Sequence, residues 1–416
     1  MGKRWIQFTS AVVAMIMIAN LQYAWTLFVR PLQQAHTDWG LVAIQWAGTL
    51  FLVFETWITP VEGWLIDRLG PRLFLSVGGV LVGLGWTAMG FVQTLPQLYT
   101  AYSIAGIGAA FIYSGSVATA LKWFPDKRGA IAGFITAGFG AGAALFIPMI
   151  AAIIRSSGYR TAFLYTGIAQ GLLVLIAAQF LHNPGPEFSV SQAARAQISP
   201  RIRRNTAQFN SLQMLMTPQF YLLFLTFVMI NVGGSMVTIQ TAPVADYFKI
   251  SAAALTASLA IGRLANGAGR IFWGWLSDRI GREMAMFIPY VLQAFSLLAV
   301  LWFGRSSGTA FTVCLVAVYF IWGSMFSLFP AIVGDYFGPA NATSNYGFLY
   351  MAKGVAAILA GGIAALVFRK FGNWDAVFYG SALLALLSAG LVLVVRAMPL
   401  PVKAKVESEA VLVKAG

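Results

Sequence analysis

Cysteine and histidine are nearly absent from this 416-residue chain, which has one of the former, Cys314, and two of the latter, His36 and His182. A single cysteine closes no intramolecular disulfide and forms no CxxC redox pair. Two separated histidines make no HExxH or multi-histidine cluster, so neither a metal nor a cofactor is expected. Charge is scarce as well: 10% of positions, with 13 acids against 27 bases. No GxxxxGK[ST] stretch occurs, which disfavours nucleotide-driven pumping. No paired base and nucleophile suggests an enzyme.

What abounds is apolar surface. Hydrophobic residues fill 59% of positions, more than a water-soluble fold of this length can cover with polar surface. Twelve apolar runs of roughly 20 residues, each long enough for a hydrocarbon core of about 30 Å, fall near 6–28, 42–65, 73–93, 98–121, 130–154, 161–181, 217–240, 254–276, 285–304, 309–330, 345–368 and 376–396. The expected fold is therefore an all-α membrane protein of twelve transmembrane helices. The first run follows Lys3 and Arg4 but is too long for a signal-peptide core and lacks a small-residue cleavage site, so it is expected to be retained. An even number of spans puts both termini on one side. Of the 27 Lys and Arg, 17 fall in loops and tails on that side, including 195, 201, 203 and 204, 7 on the other, and 3 within spans. This bias predicts cytoplasmic termini in a cytoplasmic (inner) membrane. It also accounts for the net charge of +14 without a basic domain for nucleic acid. The lipid bilayer is the expected surround, and a monomer the expected state.

Between Asn183 and Met216 the composition turns polar and basic, which reads as a cytoplasmic linker at 183–216. It separates six-helix bundles at 1–182 and 217–396, and a tail follows at 397–416. "GWLIDRLGPR" (63–72) closes the second run and "GWLSDRIGRE" (274–283) closes the eighth, agreeing at six of ten positions with an offset of 211. Such internal symmetry is how many secondary transporters are built. Glycines there let helix ends approach closely, while Asp67 and Asp278 can cap a helix or pair with arginine. Asp67, Arg68, Asp278 and Arg279 are expected to form a gate. The Asp-Arg-x-Gly loop resembles that of the major facilitator superfamily.

Five charges sit deep in apolar runs: Glu55, Glu62, Arg263, Arg270 and Lys353. Facing lipid, each would cost a few kcal/mol, so each is expected to face a partner or a wet cavity. Arg270 lies eight residues from Asp278 and Lys353 eight from Asn345, each about 12 Å of helix. Two cations at one depth favour a small carboxylate, which arginine's fork grips with two parallel hydrogen bonds; the alternative is an ion pair with an acid of the bundle. Tyr346 and Tyr350 share a helical stripe with Lys353, Arg263 and Asn266 with Arg270, and Tyr319 with Trp322 and Phe326, while Gln22 and Tyr23 fall on the first helix and Tyr113 nine residues above Lys122 on the fourth. Their other reading is simple packing or helix bonding. Glu55 is either a structural counter-ion or a proton carrier. Pro60 is expected to kink the second helix. Glu62 is expected to join the gate network with Arg68 or an arginine of another loop.

"QYAWTLF", "WFPDKRGAIAGF", "LMTPQFYLLF", "NGAGRIFWGWLSD", "SLFPAIVGDYFG" and "NYGFLYMAKG" resemble, in order and across the chain, stretches of the oxalate:formate antiporter family. That resemblance implies that Arg270 and Lys353 match the cations that hold oxalate, and that Gln22, Tyr23, Tyr113 and Trp322 match cavity residues. Phe139 and Phe326 replace tyrosines there, Tyr350 replaces a tryptophan, and Glu55 and Arg263 are added charges. The implied function is exchange of small carboxylates. Proton-coupled uptake of a monocarboxylate such as lactate, pyruvate or formate is the alternative.

Overall fold

The computed structural model describes residues 2–185 and 199–403. Residues 186–198 of the expected linker, with Arg195, and 404–416 of the tail lie outside the described residues. All regular structure among the described residues is helical. Numbering the spans in chain order, α1 is Gly2–Tyr23 continued as Trp25–Ala35, α2 is Leu41–Trp57 continued as Thr59–Leu69, α3 is Pro71–Ala88 and α4 is Leu95–Trp123. The 52-residue helix Arg128–Gln179 breaks at Gly158, giving α5 before and α6 after it. A second bundle follows: α7 Pro218–Tyr247, α8 Ala252–Ile280, α9 Arg282–Trp302, α10 Gly308–Trp322 with Ser324–Tyr336, α11 Ala342–Ile358 with Ala364–Phe371, and α12 Asp375–Ala397.

Among the described residues, eight helical stretches are long and apolar enough to cross a membrane. Division at Gly158 adds one more span, and the spans outside that set are α2, α8 and α11. Their shortfall has a cause in the residues. Helix α2 breaks at Ile58 and carries Glu55 and Glu62, α8 carries Arg263 and Arg270, and α11 carries Lys353 and passes through a π-turn at Leu359–Ile363. The helices least suited to lipid are thus the ones that carry the deep charges. Large apolar side chains such as Leu145, Leu172, Ile176 and Phe295 are exposed, while these charges turn inward, the distribution lipid requires.

Local chemistry sets the helix ends and breaks. Ser251 accepts from the Ala254 N–H and Ser307 from Ala310, capping α8 and α10. Pro60 has no N–H for the Thr56 carbonyl, and the Thr59 hydroxyl donates to that carbonyl instead at 2.9 Å and to Glu55 O at 3.1 Å. Gly70 and Gly281, at matching places in the repeat, take φ of 89° and 92°, which any other residue adopts only with strain.

The bundles meet chiefly through α2 with α11 and α5 with α8. The other two glycines of the repeat make this close. A Cβ on Gly63 would stand 2.7 Å from the Thr343 backbone of α11, and one on Gly274 would collide with the Gly129 carbonyl of α5. Residues 199–213 brace the second bundle on the side that carries the termini. Asn205 and Phe209 donate backbone N–H groups to the carbonyls of Asp335 and Phe337, both at 2.8 Å.

Candidate functional site

Two constellations organise the bundle interface: a charged network at the face carrying the termini, here the terminal face, and a polar cluster deeper in. At the terminal face the repeated aspartates work across the interface. Asp67, at the end of α2, accepts from the Thr343 hydroxyl at 2.7 Å and the Ser344 N–H at 3.0 Å at the start of α11. Asp278, at the end of α8, accepts from the Gly129 and Ala130 N–H groups at 3.0 and 2.8 Å at the start of α5. Each carboxylate therefore caps the positive end of a helix from the other bundle. Lys122 adds an ion pair to Asp67 at 2.9 Å. Asp335, fully buried, receives Arg128 at 2.6 Å, Arg282 at 2.8 Å and Arg204 at 3.0 Å.

Here the structure departs from the sequence reading. Arg68 and Arg279 take no part among the described residues: both are exposed and stack on the tryptophan four residues earlier, Arg68 over Trp64 at 4.1 Å and Arg279 over Trp275 at 3.9 Å. One helical turn places these pairs together on the outer flank, where stacking on indole is the nearest favourable contact. The cations paired with aspartates at this face are Lys122, Arg128, Arg204 and Arg282. Glu62 likewise meets no arginine; it accepts from Ser114 at 3.2 Å and is buried with its second oxygen unpartnered. A cavity of about 470 Å³ at this face, lined by Asp67, Lys122, Arg128 and Gln208 among others, has its principal charges already paired.

Deeper, Arg270 is 0% exposed. Its Nε donates to Asn266 Oδ1 at 3.0 Å and its Nη1 to the Thr136 carbonyl at 2.8 Å, while Nη2 has no partner. The Phe326 ring centroid lies 4.1 Å from its Cζ, and a Cβ on Gly140 would stand 2.8 Å from Nε and 3.0 Å from Cζ. The guanidinium is thus clamped between a phenyl ring and bare α5 backbone. No ion pair forms to it among the described residues.

Lys353 is held differently. Its ammonium donates to both Glu55 oxygens, at 3.1 and 3.3 Å, and to the Tyr350 hydroxyl at 2.9 Å. Tyr350 stacks on Tyr113 at 5.1 Å, Tyr113 meets Phe139 edge-on at 5.5 Å, and Phe139 meets Tyr23 at 5.4 Å. Arg263 lies over Tyr23 at 4.4 Å, with one buried guanidinium nitrogen unpartnered. The Lys353 ammonium lies 5.9 Å from the Phe139 ring centroid and the adjacent Gly140 abuts the Arg270 guanidinium, so the aromatic row runs beside both cations. Trp322 packs on Phe326 at 5.3 Å and donates to Asn231 Oδ1 at 3.1 Å. Gln22 presents a buried carbonyl oxygen without a partner.

Asn231, the Thr136 carbonyl and the contact of Gly140 with Arg270 escaped the sequence reading, which reads the glycine-rich stretch around Gly140 only as a place of close helix approach. A single asparagine in an apolar run was the available signal for the first; a backbone carbonyl and a missing side chain give none. Substituting Gly140 by valine is expected to displace the Arg270 guanidinium, an overpacking of about 1–3 kcal/mol, and to lower apparent anion affinity about 5- to 150-fold with membrane insertion unchanged. Saturation curves of uptake would check this, and a wild-type half-saturation value would refute the clamp.

Residues 8–361 match the family model described as Major Facilitator Superfamily. The oxalate:formate antiporter of Oxalobacter formigenes is 36% identical over 408 residues, 98% of this chain and 95% of that protein. Monocarboxylate transporter 12 of Xenopus laevis is 23% identical over 77% of this chain and 73% of its own length. Among solved structures, that of FucP, a major facilitator superfamily transporter in the outward conformation, covers 94% of this chain and 99% of its own with a TM-score of 0.71. At 13% identity, that likeness concerns the fold alone.

Proposed function

Because the chain belongs to the major facilitator superfamily, and within it to the oxalate:formate antiporter family, we propose that it exchanges small carboxylate anions across a membrane by alternating access. The observation that carries this reading is Arg270, a buried guanidinium oriented on three sides with one donor arm unused and no carboxylate paired to it among the described residues. An uncompensated buried charge is costly, and a carboxylate presented to Nη2 would offset it. Gln22, Tyr23, Tyr113, Trp322 and Tyr350 would wall the bound anion, with Lys353, whose ammonium Glu55 already holds, beside it. Oxalate-for-formate exchange is the reaction named for the relative at 36% identity, and the same class of cargo is proposed here.

The exchange follows from Arg270. With the site empty, its unmatched charge opposes enclosure; with an anion bound, that opposition falls and the bundles can rock about the site. The terminal-face network would then be the gate that breaks in the other half of the cycle. We place that face in the cytoplasm, with residues 183–216 as the linker between bundles at 1–182 and 217–396, and the monomer in the inner membrane, on the Lys and Arg bias.

A second reading, proton-coupled monocarboxylate uptake, is favoured by the contact of Glu55 with Lys353 at the level of the site. One assay tests both. Labelled oxalate or formate is offered to proteoliposomes preloaded with oxalate, formate or buffer, at equal pH on both sides. Uptake is expected only with an internal anion, at about tenfold or more over the buffer-loaded vesicles. Equal uptake into empty vesicles would overturn exchange, and accumulation that follows an imposed pH gradient would establish the second reading.

A further inference from the structure

The charges at the site do not match those of a carrier built around two free cations. Arg270 has an unused donor arm and no acidic partner among the described residues, whereas the Lys353 ammonium already has three acceptors, two of them the oxygens of Glu55. Glu55 is 1% exposed and Lys353 8%, so the pair is shielded from bulk water. The carboxylate comes from α2, in the bundle opposite Lys353, and the Thr59 hydroxyl ties the carbonyl of the same residue at the helix break. Of the other nearby charges, Arg263 stands seven residues, about 10 Å of helix, from Arg270 and lies over the Tyr23 and Tyr319 rings. Glu62 lies two turns toward the terminal face and accepts from Ser114.

We propose that Glu55 acts as a resident substitute for one carboxylate of a dianion, so that the site of this chain selects a monocarboxylate over a dicarboxylate of the same shape. Glu55 and Lys353 cancel; Arg263 is only half-buried, about 10 Å farther along the helix, and the buried central cluster keeps one net positive charge, on Arg270. A monoanion brings it to neutrality in the enclosed state. A dianion leaves a negative charge over, or must displace Glu55 from Lys353 and bury that carboxylate unpaired; both are costly in low dielectric. Glu55 is a specificity-determining residue that acts through Lys353. This narrows the carboxylate reading above and rests on it.

Oxamate and oxalate test the idea, because they share size and planarity and differ by one charge. Their equilibrium binding to the purified full chain in lipid nanodiscs is measured for the wild type and for Glu55→Gln. Wild type is expected to bind oxamate at least about tenfold more tightly than oxalate, and Glu55→Gln, which frees the Lys353 charge, to move that ratio toward oxalate by about tenfold or more, tenfold being 1.4 kcal/mol. A purely structural role for Glu55 would weaken both anions together and leave the ratio alone; that result overturns the proposal. Tighter wild-type binding of oxalate overturns it too, without recourse to the variant. Binding of neither anion by the wild type overturns the carboxylate reading itself, and this one with it.

Discussion

Glutamine at Arg270 is expected to reduce carboxylate uptake by at least about thirtyfold, and lysine there to do little better. Truncating one partner of a buried, hydrogen-bonded charge pair costs about 2–5 kcal/mol, which spans roughly thirty- to several-thousandfold. Lysine keeps the charge but not the fork. In the wild type Nε is committed to Asn266 and Nη1 to Thr136 O, and the flat group fits between Phe326 and the Gly140 backbone. A tetrahedral ammonium cannot serve Asn266, Thr136 and a ligand oxygen from one slot with the same geometry. The measurement is initial-rate uptake into preloaded proteoliposomes, alongside size-exclusion profiles that establish an intact bundle. Uptake by Arg270→Lys within threefold of wild type, in monodisperse protein, would refute the assignment of Arg270 to the anion.

Neutralising Asp335 is expected to unlock the terminal face. That carboxylate is buried and receives Arg128, Arg282 and Arg204. Asparagine would leave Arg128 and Arg282, each at most 5% exposed, short of a full counter-charge. Breaking one side of a buried pair costs about 3–5 kcal/mol, and because Arg128 belongs to α5 while Asp335 belongs to α10, part of that cost falls on the closed state alone. A cysteine placed at Ser344, beneath Asp67, in a chain with Cys314 replaced by serine, reports the change. Labelling by a membrane-impermeant maleimide from the terminal side is expected to quicken about tenfold or more in Asp335→Asn. Alanine at the exposed Arg68 or Arg279 is expected to change it less than about twofold, as befits surface cations. An unchanged rate in Asp335→Asn, or a large one in Arg279→Ala, would restore the arginines of the repeat to the gate and remove Asp335 from it.

These two cases mark where local pattern stops being informative. The repeat at 63–72 and 274–283 supplies Asp67, Asp278 and the glycines of the bundle interface, because a helix-closing turn and a close helix approach are written into consecutive residues. It also invites the reading that the adjacent arginines complete the gate. One turn of helix decides otherwise, since Arg68 and Arg279 point along the flank to Trp64 and Trp275. The cation that bridges the bundles comes from outside the motif: Arg128 reaches Asp335 across 207 residues, whereas Arg282 lies within the repeat itself.

By itself, the sequence determined the class of the protein. Its apolar runs, the bias of its lysines and arginines, its internal repeat and the equal depth of Arg270 and Lys353 are all properties of residues near one another in the chain, and bilayer thickness and helical rise convert them directly into spans and levels. Tertiary structure decided what those charges do. Lys353 and Glu55 are 298 positions apart, on helices that meet only when the bundles pack, and the Gly140 backbone defines one wall of the Arg270 slot by having no side chain. An ion pair depends on distance in space and a clamp on excluded volume, and neither leaves a periodic trace in a single chain. Two cations could therefore be placed at one level from the sequence, with Glu55 as a candidate counter-ion, and the packed bundles show that Lys353 is the one that holds it.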